Sequence, residues 1–264
     1  MPRFEPHPQR RPALISGASS GIGAATARAL AAAGHPVALG ARRLQECEKI
    51  AAAVREEGGE AVAAHLDVGE RGSVRDFVAA AEEALGPPEV LVSGAGDIEA
   101  AQVHEQDPDE FRDQVDVHLV GAQRLVHEVV PAMVRRQRGD VVFFGSDVTR
   151  AHRPRMGAYV PAKSGLEAMA RTMRMELEGT GVRASVVRPG PTESGMGGGW
   201  DDEVTVAVLE DWIRWGLARH SYFLRPSDVA SAVTTIVSAP RGAHFPLIEV
   251  EPEAPLAKGG DAEE

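Results

Sequence analysis

Three side chains in the second half of the chain have the types and spacing for proton transfer. Tyr159 and Lys163 stand four residues apart in Tyr159-Val160-Pro161-Ala162-Lys163, so a helix there projects the phenol and the ammonium from one face. Ser146 ends an apolar run, VVFFGS, thirteen residues before the tyrosine. A phenol ionises near pH 10 in water and is a poor base at neutrality; bringing that value to ~7 takes ~4 kcal/mol of preferential phenolate stabilisation. A neighbouring Lys163 ammonium is one source of it, and a serine hydroxyl can hold an oxygen that gains negative charge. On their own, a Tyr and a Lys at this spacing make an ordinary solvated helix face. The elements around them decide.

Those elements alternate. ALIS (13–16) precedes a glycine-rich turn and an Ala-rich helical stretch over 22–33 that Gly34 ends. VALGA (37–41) precedes a helix over 43–57, AVAAHLD (61–67) one over 72–85, and VLVS (90–93) a long one. The long helix starts at Asp107-Pro108-Asp109-Glu110, with Asp107 as cap, Pro108 at the first helical position and Glu110 completing a capping box. Its apolar period runs on toward Gly139. VVFFGS (141–146), a helix near 158–178, VRASVV (182–187), a helix near 227–238 and FPLIEV (245–250) complete seven strand-like runs. Runs apolar on both faces suit parallel strands covered on each side. The pattern predicts an α/β fold, a single doubly wound sheet over residues 13–251, with 1–12 and 252–264 as flexible tails.

Composition narrows the function. The 264 residues carry 28 Lys plus Arg against 39 Asp plus Glu, a formal charge of −11, which argues against gripping nucleic acid by bulk charge. Cys47 is the single cysteine, so no intrachain disulfide or multi-Cys metal site is expected, and a reducing cytoplasm fits. No run approaches the ~18 apolar residues of a membrane span, and the first dozen residues lack the apolar stretch of a secretory signal. Nine histidines are scattered from His7 to His244 without a ligand spacing, so no metal is expected.

Ser16-Gly17-Ala18-Ser19-Ser20-Gly21-Ile22-Gly23 lies between the first strand and the first helix. Glycines let backbone approach a pyrophosphate closely, and the helix N-terminus offers free N–H groups and a positive dipole end. With Ser146, the YxxxK pair and Pro189-Gly190 following in order, the chain resembles the short-chain dehydrogenase/reductase family over about residues 10–250. Its compact members read TGxxxGIG at the turn, where Ser16 stands for the threonine. The resemblance implies a Rossmann fold and a nicotinamide dinucleotide held by Gly17, Ser19, Ser20, Gly21, Ile22 and Gly23. It places Asp67-Val68 on the adenine side, and Ala95-Gly96 beside the ribose in a turn that lacks the usual asparagines. It sets Pro189, Gly190, Thr192 and Ser194 along the nicotinamide. Lys163 would also bond the nicotinamide ribose.

An NAD site normally sets an Asp or Glu on the ribose 2′-OH about 20 residues past the glycines. Here Leu39-Gly40-Ala41-Arg42-Arg43 has no carboxylate, and two guanidinium groups that can fork onto a phosphate follow. This predicts NADP(H) over NAD(H) by about tenfold or more, ~1.4 kcal/mol.

The expected reaction interconverts a carbonyl and an alcohol by hydride transfer, with Tyr159 as acid/base and Ser146 holding the carbonyl oxygen. Alternatives are a non-catalytic NADP(H)-binding regulator or scaffold, and a C=C reductase or dehydratase on the same fold. In Asp116-Val117-His118-Leu119-Val120-Gly121, His118 occupies the place of an asparagine that in the family supports a proton-relay water to the lysine. Residues 195–223 resemble the family's lid. Trp200, Trp212, Trp215, Tyr222 and Phe223 would line it, favouring an apolar or ring-containing substrate, with MGGGW as hinge. Basic residues from Arg150 to Arg155 offer a second, anionic possibility. The resemblance also implies a homotetramer or homodimer through the long helices near 107–137 and 158–178.

Overall fold

The computed structural model describes residues 5–218 and 220–256; Met1 to Phe4 and residues 257–264 of the expected tails, and Arg219 of the expected lid, lie outside them. In chain order the elements are β1 (Ala13–Ser16), α1 (Gly21–Ala32), β2 (Val37–Ala41), α2 (Leu44–Glu56), β3 (Ala61–His65), α3 (Arg71–Leu85) and β4 (Val90–Ser93). The second half has α4 (Pro108–Val115), a π-helical turn (Asp116–Val120), α5 (Gly121–Arg135), β5 (Gly139–Phe144), α6 (Tyr159–Glu176), β6 (Val182–Pro189), α7 (Asp202–Arg214), α8 (Pro226–Ser238) and β7 (Leu247–Val250). The strands form one sheet in the order β3-β2-β1-β4-β5-β6-β7, every pair parallel. This is the expected doubly wound architecture, with its order reversing between β1 and β4. In open sheets of this kind ligands bind at that switch point, outside the carboxyl ends of the strands.

Burial explains the runs apolar on both faces. Every residue of β1, β2, β4 and β5 is buried. One core layer packs Leu30 of α1, Ile50 of α2 and Val233 of α8 against Ile15, Leu39 and Val92. The opposite layer packs Phe77 of α3, Leu125 of α5 and Leu166 of α6 against Leu14, Leu91 and Phe143. Strand β7 is one of the two edges, and its residues are exposed or only partly buried.

Four expectations change. Helix α7 lies within the expected lid, after MGGGW, where the sequence pattern gave no helix. Asp201 caps it through Val204 N at 2.8 Å, and Asp202 and Glu203 sit in its first turn, where acidic side chains suit the dipole. The long helix is interrupted by the π turn at 116–120, a feature that concentrates at functional sites. Its start is capped by Asp107 accepting from Asp109 N at 2.7 Å, and the Glu110 bond of a capping box is not among its bonds. The N-terminal tail also stops short of Pro12. Arg11 is 1% exposed and pairs with Asp140 and Glu89 beneath the sheet.

Candidate active site

The glycine-rich turn after β1 is built by close approach of three loops. Gly17 has φ +71°, and a Cβ there would lie 2.4 Å from the Gly94 carbonyl oxygen. A Cβ on Gly21 (φ +54°) would lie 2.6 Å from the Ser194 oxygen. These glycines therefore let the first turn touch the loops after β4 and β6. Ser20 caps α1 without a side-chain bond to its first turn, leaving those N–H groups to an anion. Ile22 packs on the core beneath, and Gly23 lets the helix close onto Gly17, since a Cβ would sit 2.3 Å from its oxygen.

Past β2 the two arginines are exposed at the start of α2. Arg43 reaches back across the turn: its Nη2 donates to Ser19 Oγ at 3.0 Å and to Ser20 Oγ at 2.7 Å. Arg42 and Ala41 stand beside it. The end of β2 thus presents cation and hydroxyl where a diphosphonucleotide site without a 2′-phosphate would present a carboxylate. Ser16 does work the sequence left open. Its Oγ accepts from Gly94 N at 3.0 Å and Ala95 N at 3.2 Å, stiffening the turn that lacks asparagines. Asp67 accepts from Gly69 N at 2.9 Å, and Val68 is buried against Gly121.

Across the crevice the expected proton-transfer residues come together, and they are dry. Tyr159 (6% exposed) opens α6, and the Ser146 hydroxyl lies close enough to favour its ionised form. Pro161 sits at the third helical position, where its missing N–H costs little. Lys163 Nζ donates to Phe144 O at 2.8 Å and stands 5.5 Å from the Tyr159 ring centre. His118 (2% exposed) meets that ring edge-on, with centres 5.2 Å apart. His118 Nε2 lies 2.6 Å from Asp97 O, so it carries the proton, and Nδ1 is a buried acceptor without a hydrogen-bond partner.

Burial sets the charges here. It pushes the Tyr159 phenol up to about 12, against the Ser146 hydroxyl and Arg153. It lowers Lys163 to about 8, opposed by Glu167 one turn along α6. It lowers His118 to about 3, helped by Lys163. Without a cofactor's charge, desolvation of the buried phenolate outweighs the groups that would lower it.

Glu167 is a residue the sequence did not flag. It is buried beneath Gly145, takes Arg188 Nη2 at 2.6 Å and Nε at 3.0 Å, and accepts from Thr149 Oγ1 at 2.9 Å. Asp97 and Asp147 likewise enter the site, as does Arg153 of the basic Arg150–Arg155 run; of the two acids only Asp147, directly after Ser146, left a usable signal. On the far wall Gly190 N donates to Val250 O at 2.8 Å, so Pro189-Gly190 carry the chain off the sheet. Thr192 Oγ1 bonds Gly190 O at 2.8 Å, and Ser194 closes on Gly21. Of the expected lid aromatics, Trp200 and Trp212 pack with Val148, Met156 and Tyr159. Trp215, Tyr222 and Phe223 are instead exposed and do not line that cluster. Among the described residues no group of three or more His, Cys, Asp or Glu could hold a metal ion, and no helix is long and apolar enough to cross a membrane.

A glycine turn at the switch point of a parallel sheet, with a buried phenol, ammonium and hydroxyl, is the arrangement of a nucleotide-dependent oxidoreductase class. Residues 11–205 match the family model described as short chain dehydrogenase, and the chain belongs to the short-chain dehydrogenase/reductase family. Family members act on the CH–OH/C=O pair with a nicotinamide dinucleotide. It is 30% identical over 236 residues to 2,3-dihydro-2,3-dihydroxybenzoate dehydrogenase of Bacillus subtilis, covering 87% of this chain and 90% of that protein. It is 35% identical over 240 residues to glycine betaine reductase ATRR of Emericella nidulans; the match takes in 91% of this chain but 18% of that protein's length. Among solved structures, actinorhodin polyketide ketoreductase with NADPH overlays with a TM-score of 0.82 at 28% identity, covering 92% of this chain and 96% of that one. The alcohol dehydrogenase of the archaeon Thermococcus sibiricus complexed with 5-hydroxy-NADP gives 0.78 at 31% identity, covering 91% and 96%.

Proposed function

We propose that this chain interconverts a carbonyl and an alcohol with NADP(H) in preference to NAD(H). The observation that carries the reading is the buried Tyr159–Ser146–Lys163–His118 group facing the glycine cradle. The residues fit the dinucleotide: Gly17, Gly21 and Gly23 make the close approach, the uncapped α1 end takes a phosphate, and Arg43 with Ser19, Ser20 and Arg42 suits a 2′-phosphate. Asp67, Val68, Ala95 and Gly96 border the adenosine side, and Pro189, Gly190, Thr192 and Ser194 the nicotinamide side. When bound, the nicotinamide supplies or accepts the hydride.

The chain's own residues manage the proton. With a phenol held near 12, Tyr159 is protonated across the working range and acts as the acid on an alkoxide oxygen. Ser146 holds that oxygen. Lys163⁺ supports the phenolate left behind, and His118 Nδ1, a neutral acceptor, positions the path by which the proton is restored. Val148, Met156, Trp200 and Trp212 beside Tyr159 support an apolar or ring-containing substrate. Known NADP-bound relatives of the fold support the cofactor choice. A homodimer or homotetramer through α4, α5 and α6 is part of the reading, to be checked by light scattering; a reducing cytoplasm suits the buried free thiol of Cys47.

The test is oxidation of NADPH followed at its absorbance band against a carbonyl panel of acetophenone, a bicyclic ketone, hexanal and phenanthrenequinone, repeated with NADH. Turnover of at least one probe with NADPH favoured is expected. Tight NADPH binding with no turnover of any probe overturns the enzymatic reading in favour of a binding protein.

A further inference from the structure

Behind Ser146 lies a buried ion pair that the reaction above does not use. Asp147 belongs to the 3-10 turn Asp147–Thr149 that Ser146 caps. Ser146 Oγ accepts from Val148 N at 3.4 Å and donates to Asp147 Oδ1 at 3.3 Å. The serine's one proton is thus directed at a carboxylate, whereas a substrate oxygen needs it. How strongly Asp147 competes depends on its charge. Arg153 meets that charge: its Nη2 pairs with Asp147 Oδ2, the two side chains being 10% and 14% exposed.

Arg153 is held in turn by the lid helix. Its guanidinium lies 4.7 Å from the centre of the Trp212 ring, a distance suited to cation–π attraction. Its Nε is buried without a hydrogen-bond partner, so Asp147 and the Trp212 face are what fix it. Arg155 Nε bonds Asp211 Oδ2 at 2.8 Å, and Trp212 Nε1 bonds Pro154 O at 3.4 Å, tying the same loop to α7 twice more.

We propose that Arg153, clamped by Trp212, is a positioning residue that neutralises Asp147 and so releases the Ser146 hydroxyl to the substrate oxygen, coupling the seating of α7 to the serine. This rests on the roles given to Ser146 and Tyr159 above. It also displaces the anionic substrate that the Arg150–Arg155 segment suggested. Arg150 is paired with Glu249 and Glu251, Arg153 with Asp147, and Arg155 with Asp211. The three guanidinium groups are already committed within the protein.

The charges and hydroxyls facing Asp147 are Arg153 on its own loop, Glu251 beyond β7, itself paired with Arg150, and the Ser146 and Tyr159 hydroxyls. Burial holds the Asp147 carboxyl above the ordinary range, Glu251 adds to that, and Arg153 opposes both. Removing Arg153 leaves the upward influences in place, so the carboxyl moves further up and its hold on Ser146 weakens as pH falls.

The experiment uses the best-reduced probe of the panel above. Arg153→Ala should lower kcat by about tenfold or more at pH 8, with the deficit shrinking by about threefold or more at pH 6. Adding Asp147→Asn to Arg153→Ala should recover most of the lost turnover, since an amide has no charge to neutralise. Trp212→Leu should slow kcat by roughly threefold to tenfold, and that effect should vanish in the Asp147→Asn background; this arm holds if Arg153→Ala fails to fold. An Arg153→Ala enzyme within about twofold of the parent, or a double variant as slow as the single with an unmoved pH profile, overturns the proposal. Tyr159→Phe is run beside them. If it turns over like the parent, the reading of the site has failed; if it is inactive while Arg153→Ala is not impaired, only this inference has.

Discussion

The two ends of the crevice are built on opposite principles. At the nucleotide end Arg42 and Arg43 are exposed, with Ser19 and Ser20 hydroxyls bonded to Arg43. At the proton-transfer end Tyr159, Lys163 and His118 are buried, and their ionisation is moved to about 12, about 8 and about 3. The wet end recognises through residue identity and reach. The dry end works through desolvation, so side chains that touch no ligand, such as Glu167 and Asp147, acquire leverage there. A substitution at the wet end should change binding of one cofactor; one at the dry end should change rates and pH profiles.

The largest expected effect breaks the dry end. Tyr159→Phe removes the proton and should lower kcat by ~10²–10⁴, while NADPH affinity, measured by fluorescence titration, changes by less than about threefold. An equal loss in both would erase the contrast.

His118→Leu should come next, with kcat reduced by roughly tenfold or more, because it removes the buried Nδ1 acceptor beside Tyr159. His118→Asn should keep most of the activity. Since burial holds the imidazole at about 3, the parent should show no acid limb from this residue between pH 5 and 8. An acid limb near 6 that His118→Asn abolishes would contradict the burial argument.

At the wet end, Arg43→Ala and Arg42→Ala should each weaken NADPH by about tenfold, ~1.4 kcal/mol, and leave NADH within about twofold. Competitive inhibition by 2′-phosphoadenosine derivatives would report the same loss without any substrate.

A smaller effect sharpens the comparison. Lys163 carries its charge below about 8 and loses it above, so kcat should decline on the alkaline side with a midpoint near that value. Glu167 raises the lysine, and Glu167→Gln should move the limb to lower pH. A pH profile left in place by this change would remove Glu167 from the site's electrostatics.

The last is a stability effect. An unfolded chain protonates His118 below about 6.5, whereas the folded protein keeps it neutral down to about 3. The folded pKa is depressed for a base, so stability is full above 6.5 and is lost as pH falls through that window, at about 1.4 kcal/mol per pH unit for this group. Urea midpoints at pH 7 and 5 should therefore converge in His118→Asn relative to the parent.

These contrasts also separate what was legible in the sequence from what was not. Strands buried on both faces announce themselves as unbroken apolar runs, so the sheet and its alternation with helices could be read directly, as could the cradle glycines and the Ser146, Tyr159 and Lys163 spacing. Helix α7 was hidden because its outward residues Val206, Leu209, Ile213 and Trp215 are exposed apolar side chains, which blurs the amphipathic period. The π turn left no trace, since Val115, Leu119 and Ala122 stay in helical step on either side of it. Ser16 read only as a threonine substitute, yet its hydroxyl holds the Gly94–Ala95 turn. That bond spans 78 residues of sequence, and no local pattern encodes such a distance. The same holds for Asp97, whose contribution to His118 is a backbone carbonyl available to any residue type.

Arg11 carries a consequence of another kind. Its Nη1 donates to Val237 O at 3.0 Å across 226 positions, while the same guanidinium balances Asp140 and Glu89. During synthesis at ~5–20 residues per second, roughly ten to forty-five seconds separate the appearance of the arginine from that of its last partner, a span set by those 226 positions. A nascent chain that has already paired its first strands still lacks this cation's last partner, and trimming the protein past Arg11 would leave Asp140 to Arg183 alone and Glu89 to Arg138 alone. The segment made first is therefore among the last to be fastened.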